Sequence, residues 1–192
     1  MVKKCTLKES GEEFAVKIMK NYDEERVLAA ENEFNLLLAV NHPNIVSVKE
    51  ILKTEKEIYM VMEFIKGEEM MDRITEIDKY DENIAKRLFR QILDAIKYLH
   101  DRRICHRDIK PSNIMVLKGE DKIKLADFNV SRKVTNDSFS MMTHTGTEAF
   151  SAPEMFSGVV YDNSVDIWSA GCVLYTMLAG YMPFFEENNA KL

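Results

Sequence analysis

The spacing of apolar and polar residues changes along the chain, and each change predicts an element. Residues 12–20, "EEFAVKIMK", alternate. Phe14, Val16 and Ile18 fall on one face and Ala15 and Lys17 on the other, which predicts a strand. Residues 23–40 switch to a helical period and open with acids, the residues that suit a helix N-terminus. His42-Pro43-Asn44 breaks this helix, and "IVSVKEIL" (45–52) and "EIYMVMEF" (57–64) predict two more strands. Ile65-Lys66-Gly67 ends that region. From Asp81, a plausible N-cap, the residues Ile84, Leu88, Ile92, Ala95, Ile96 and Leu99 line one helix face. Short strands are expected over 113–117 and 122–126, and a polar Ser/Thr/Met segment runs from Ser131 to Thr147. Val165 to Ala179, "VDIWSAGCVLYTMLA", is hydrophobic nearly all round, which predicts a helix buried on every side. The 13 residues after it are too few to wrap it, so the core is expected to remain open there.

Strands thus cluster early and helices late, which predicts an α+β, bilobal fold with its boundary near 63–67. Composition changes this picture little. At 192 residues, 46% hydrophobic and 30% charged, the chain suits one soluble domain of two lobes. A net charge of −6 with no basic stripe argues against nucleic acid as a partner. The stretch 165–179 is too short and polar to span a membrane, and residues 1–10 are too polar for a signal peptide. Cys5, Cys105 and Cys172 are few and scattered, as expected of small core residues in a reducing, intracellular and cytoplasmic setting. The four histidines show no metal-ligand spacing.

The chemistry gathers in "HRDIKPSN", His106 to Asn113, between a predicted helix and a predicted strand. It holds a carboxylate (Asp108), an ammonium (Lys110) and a carboxamide (Asn113), and Asp127 follows at the end of the next strand. A carboxylate at the end of a half-buried strand needs a cation. Hard oxygen donors such as Asn113 and Asp127 suit Mg²⁺, which binds through few protein groups together with phosphate. Asp108 could then accept a hydroxyl proton, with Lys110 offsetting charge on a moving phosphoryl group.

In these residues the chain resembles the eukaryotic protein kinases. "HRDIKPSN" is similar to their catalytic loop, and "FAVKI" to the strand that carries the ATP-binding lysine, here Lys17. Glu33 stands where the family has the acid that pairs with this lysine. "SAPE" (151–154) and "DIWSAG" (166–171) match later motifs in order. The resemblance covers essentially the whole chain. It implies a small β-rich N-lobe (1–62), a hinge (63–67) and a mainly helical, incomplete C-lobe (68–192). It also implies Mg²⁺ and ATP. Val2, Ala15 and Met115 would sandwich the adenine, Met62 would be the gatekeeper, and Glu63, Phe64 and Ile65 would hydrogen-bond the base through their backbone. Glu69 would lie at the edge of this site, where many basophilic kinases hold a substrate arginine. Leu37, Val48, His106 and Phe128 would stack as a column between the lobes. Lys110, two residues after Asp108, resembles serine/threonine kinases and implies a protein substrate with a Ser or Thr acceptor. The segment 131–147 would be the activation segment, with Thr143 as the site of an activating kinase, Ser138, Ser140 and Thr145 as rivals, and Arg107 as the receiver of the phosphate.

The chain also departs from the pattern. Asp-Phe-Gly becomes Asp127-Phe128-Asn129. Asparagine tolerates left-handed backbone best after glycine, so the change is expected to be mild, reducing the freedom of the segment to flip without removing the metal ligand. The Gly-rich loop expected before Val2 is absent, as are the helices expected after "GYMPFF". One of those helices would carry the arginine partner of Glu154, which is expected to be half-buried and unpaired. "GEEMMDRI" and "LYTMLAGYMPF" resemble the calcium/calmodulin-dependent group, although no EF-hand loop or calmodulin-binding helix is present. Ser112 and Thr176 replace two glutamates common in basophilic kinases, which implies a modest basic preference. Two readings stand: a phosphoryl-transferring enzyme, and a kinase-like module that binds nucleotide or partners without transfer. A P-loop NTPase is excluded by the absence of GxxxxGK[ST].

Overall fold

The computed structural model describes residues 1–20, 24–133, 148–157 and 160–184. Ser138, Ser140, Thr143, Thr145 and Thr147 therefore lie outside the described residues. The chain opens with a strand that the pattern does not predict, β1 (Val2–Thr6). Lys3 and Lys4 hide its periodicity, and it is an edge strand, where lysines discourage further pairing. It is antiparallel to β2 (Glu13–Lys20). With β3 (Val48–Lys53) and β4 (Glu57–Glu63) these form a four-stranded sheet in the order β1-β2-β4-β3. β3 starts three residues later than the sequence pattern places it, because Ile45 leaves the sheet to bridge Leu125. Pairing of Val2 with Lys17 and of Ala15 with Met62 sets the four residues on one face, since side chains alternate along a strand.

Helix α1 (Glu24–Leu38) follows β2, carries Glu24 and Glu25 in its first turn, and buries Ala30, Glu33 and Leu37. It packs on β3 and β4. Beyond its end, the chain from Asn41 to Val46 is tied to the lower lobe. The Asn41 N–H donates to Tyr98 Oη (3.0 Å), and Asn44 Nδ2 donates to Gln91 Oε1 and to the Ile123 carbonyl (both 2.9 Å). The Leu125 N–H donates to Asn44 O (2.8 Å), and the Val46 N–H to Leu125 O (2.9 Å).

The lower lobe begins with β5 (Gly67–Glu69) and α2 (Met70–Ile77), an eight-residue helix too short for its period to stand out in the sequence. A Cβ on Gly67 would lie 2.1 Å from the Val116 carbonyl oxygen, so glycine is required there. α3 (Glu82–His100) starts where the sequence indicates, with Asp81 accepting from the Asn83 N–H (2.9 Å). Its buried stripe contains Ala85 instead of Ile84, which is only half-buried. The short strand β6 (Ile104–Cys105) leads into the loop 106–110 and a 3₁₀ turn, Pro111–Asn113. β7 (Ile114–Leu117) and β8 (Ile123–Leu125) follow as a hairpin, and β9 (Arg132–Lys133) pairs with β6. After two further 3₁₀ turns comes α4 (Ser164–Ala179), closed by Gly180 at φ 85°. A Cβ on Gly180 would meet the Asp78 carbonyl oxygen at 2.4 Å.

The main core joins Leu37, Val40, Ile45 and Met60 above to Leu88, Ile92, Ile96, Leu99, Ile114 and Phe128 below. Each such fully buried aliphatic or aromatic side chain contributes roughly 1.5–3 kcal/mol. Two expectations need correcting. α4 is not buried on every side: Val165, Asp166, Val173 and Thr176 are buried, but Ile167, Trp168, Tyr175 and Leu178 face solvent among the described residues. The sequence counted the apolar residues of the helix but carried no sign of which face would find a neighbour. Cys105 and Cys172 are buried, whereas Cys5 is only half-buried, because β1 is an edge strand.

Candidate active site

β2 and α1 bring Lys17 and Glu33 together. Lys17 Nζ donates to Glu33 Oε1 at 2.7 Å and to Oε2 at 3.1 Å. The Glu33 side chain is only 3% exposed. Burial pushes its carboxyl above the usual range; the charge of Asp127 adds to this, and the Lys17 ammonium and the Phe128 N–H oppose it. The same ammonium reaches Asp127 Oδ1 (2.9 Å) and Asn129 Oδ1 (2.7 Å), both beyond the end of β8. Asp127 is 40% exposed, so its carboxylate is open to a ligand as well as to Lys17.

The expectation for Asn129 needs a correction. The described non-glycine residues with positive φ are Asp78, Arg103, Arg107 and Asp127, and Asn129 is not among them. Asp127 makes the left-handed step, at φ 58°. What asparagine supplies at position 129 is a side-chain acceptor.

The loop after β6 presents Asp108. Asn113 Nδ2 donates to the Asp108 carbonyl and to its Oδ2, both at 2.8 Å, and Lys110 Nζ lies 2.9 Å from the same Oδ2. With its nitrogen held by Asp108, the oxygen of the Asn113 carboxamide is left as an acceptor. Asn113 is tied to the Asp127 segment by the Ala126 N–H, which donates to its carbonyl (2.9 Å).

A residue given no role in the sequence reading holds this loop in shape. Asp166 on α4 is fully buried. Its Oδ2 accepts the His106 N–H (2.9 Å), its Oδ1 accepts the Arg107 N–H (2.8 Å), and His100 Nε2 lies 2.8 Å from Oδ2. Burial would raise its carboxyl, yet the hydrogen bonds from His100 and from the backbone of His106 and Arg107 prevail and hold it below the ordinary range. These bonds fix Arg107 at φ 68°, a region that non-glycine residues seldom occupy. Such a contact spans 59 residues of sequence, and only the motif "DIWSAG" could have pointed to it.

His106 is completely buried, which drives its imidazole below its ordinary range despite nearby carboxylates. Its Nδ1 accepts the Asp108 N–H (3.3 Å), so the proton is on Nε2, which donates to the Ala126 carbonyl (3.2 Å). Its ring meets Phe128 edge-on at 4.5 Å. Phe128, Leu37 and the partly buried Val48 belong to one core cluster.

The residues expected around a base are set out as follows. Val2, Ala15 and Met62 share the face of Lys17, although Val2 is 59% exposed. Met115 is half-buried on β7, paired with Glu69 of β5. Phe64 and Ile65 are half-buried and Glu69 is exposed. The carboxylate of Glu63 is occupied by the Ser47 N–H and by Lys124 (both 2.7 Å), and its own N–H donates to Ser47 O (3.0 Å). Glu154 is half-buried.

A cavity of about 920 Å³ lies beside α1, lined by Leu36, Glu33, Asn129 and three arginines, Arg102, Arg107 and Arg132. The Arg107 guanidinium donates to the Val130 carbonyl through Nε (2.6 Å) and Nη2. Among the described residues no helix is long and apolar enough to cross a membrane, and no group of three or more His, Cys, Asp or Glu could hold a metal ion.

All 192 residues match the family described as "Protein kinase domain". Calcium/calmodulin-dependent protein kinase type 1 of Macrobrachium nipponense is 40% identical over 164 residues, 84% of this chain and 47% of that protein. Calcium/calmodulin-dependent protein kinase type IV is 37% identical over 189 residues, 97% of this chain, in both Mus musculus and Homo sapiens, covering 40% and 39% of those proteins. The chain thus spans less than half the length of the curated relatives it matches.

Proposed function

The chain belongs to the protein kinase family, and from that premise we propose that it is an ATP-dependent serine/threonine kinase of the calcium/calmodulin-dependent type. The reaction transfers the γ-phosphoryl group of ATP to a protein hydroxyl. The observation that carries this reading is the Asp108 carboxylate, gripped by Asn113 and Lys110 and joined through Asn113 to the segment of Asp127 and Lys17. The donor set fits Mg²⁺: an accessible carboxylate on Asp127 and a carboxamide oxygen on Asn113 whose nitrogen is already engaged. When bound, the ion neutralises phosphate charge.

The chain's own residues do the rest. Asp108 takes the proton of the acceptor hydroxyl, and the Asn113 bond aims its carboxylate. Lys110 offsets negative charge beside it. Glu33 holds Lys17 in position to meet nucleotide phosphates. Ala15, Val2 and Met115 enclose the base behind the gatekeeper Met62, with the backbone of residues 63–65 at its edge and Glu69 beyond it. Residues 1–62 and 68–192 act as the two lobes. Arg107 and the neighbouring arginines receive a phosphate placed on Thr143 by an activating kinase. The two buried free thiols fit work inside the cell.

The test is phosphoryl transfer by the full-length protein to a generic basic substrate with Mg-ATP, beside Asp127→Ala. Loss of at least a hundredfold in kcat/KM is expected. Transfer that survives the substitution refutes the mechanism. Nucleotide binding without transfer by the wild type supports the non-catalytic module instead.

A further inference from the structure

The structure assigns Asn129 a role that a glycine in its place could not have: its carboxamide competes with nucleotide phosphate for Lys17. The inference rests on the nucleotide-site reading above.

An ammonium carries three N–H groups. Around Lys17 Nζ stand four acceptor oxygens within 3.1 Å: two from Glu33, one from Asp127 and one from Asn129. Suppose Asp127 turns to a metal ion. Three acceptors then remain for three N–H groups, and none is left for a phosphate oxygen. One acceptor must yield before the lysine can bind phosphate. Glu33 is buried and charged, and loosening either of its two contacts, at 2.7 and 3.1 Å, would leave a carboxylate less well compensated in the interior. Asn129 is neutral, and its bond to Lys17 is exposed to solvent. It is therefore the acceptor that yields.

Backbone conformation gives no competing explanation, because Asn129 does not occupy the left-handed region. In the nucleotide-free state the amide oxygen takes one of the hydrogen bonds that phosphate later uses. It keeps Lys17, Glu33 and the start of the segment after β8 assembled, and nucleotide binding must overcome that bond.

Asn129→Ala tests this without changing the backbone demand. Mg-ATP, Mg-ADP and adenosine are titrated calorimetrically into full-length wild type, Asn129→Ala and Asn129→Asp. The alanine protein is expected to bind both nucleotides about three- to tenfold more tightly, the worth of one competing hydrogen bond. Adenosine, which has no phosphate, binds all three proteins equally. Asn129→Asp keeps the acceptor, adds a charge and binds both nucleotides more weakly than wild type. Equal nucleotide affinities across the three proteins overturn the competition, and so does a shift of adenosine in parallel with ATP. Absence of all binding, wild type included, brings down the nucleotide-site reading and the competition with it. Binding without a phosphate-dependent difference overturns the competition alone.

Discussion

Asp166→Asn tests how the Asp108 loop is held. The native carboxylate accepts two backbone N–H groups, from His106 and Arg107, and meets His100, all at 2.8–2.9 Å. A carboxamide has one oxygen and an NH₂ group. Whichever way it turns, its NH₂ faces a donor, and at least one buried backbone N–H loses its acceptor. A hydrogen bond to a charged group contributes about 1.5–3 kcal/mol, and an unsatisfied buried donor costs about 1–3 kcal/mol. Removing the buried charge returns part of this. The carboxyl is held below its ordinary range, however, so the bonds outweigh the desolvation. A net loss of about 3 kcal/mol is therefore expected, a large share of the roughly 5–15 kcal/mol that stabilises a domain. Arg107 also loses what keeps it at φ 68°, so Asp108 shifts. Urea unfolding of Asp166→Asn, with kcat measured far below the new midpoint, reads both effects. A stability change under about 1 kcal/mol, or an unchanged kcat in the folded variant, would refute the reasoning.

Two further outcomes follow from buried polar groups. His106 titrates below its ordinary value of about 6.5 in the folded state, as His42 does to a lesser burial, so the native protein binds fewer protons than the unfolded chain below that pH. Stability is then full above about pH 6.5 and falls as the pH drops through that value towards 5. Asp166 adds a second loss below about pH 3.8, and the raised Glu33 opposes the trend because it releases strain on protonation. Urea unfolding at several pH values should show His106→Gln with a flatter slope between pH 7 and 5; an unchanged slope would count against the assignment. The Tyr80 hydroxyl is buried with no hydrogen-bond partner among the described residues, and burial pushes its pKa up to about 12. Tyr80→Phe should raise stability by about 1 kcal/mol in thermal unfolding, and a loss of that size would reveal a partner for the hydroxyl.

Local signals gave much of this fold. Asp81 marked the start of α3 and the alternation around Lys17 marked β2, while the pairing of Lys17 with Glu33 was implied only by the resemblance to the protein kinases. Elements whose composition ran against their structure were not legible. The lysines of β1 mask a strand, and α2 has too few turns to display a period. Contacts across long separations were hidden as well. Apart from the motif "DIWSAG" that it opens, nothing near Asp166 in sequence tells that it fastens Arg107, and nothing near Asn129 tells that its side chain meets Lys17. Asn129 shows the limit most clearly: its residue type suggested a backbone role, and tertiary placement gave it a side-chain one.

The ties from Asn41 to Val46 make α1 a lever with its fulcrum at one end. That end is fastened to the lower lobe, so the helix can swing but cannot slide. Glu33 sits about 10 Å along the axis from Val40, and a tilt of about 10° displaces its carboxylate by roughly 2 Å. Travel of that size would part it from Lys17, which it meets at 2.7 Å, so the tie at the Val40 end bears directly on whether the ion pair stays closed.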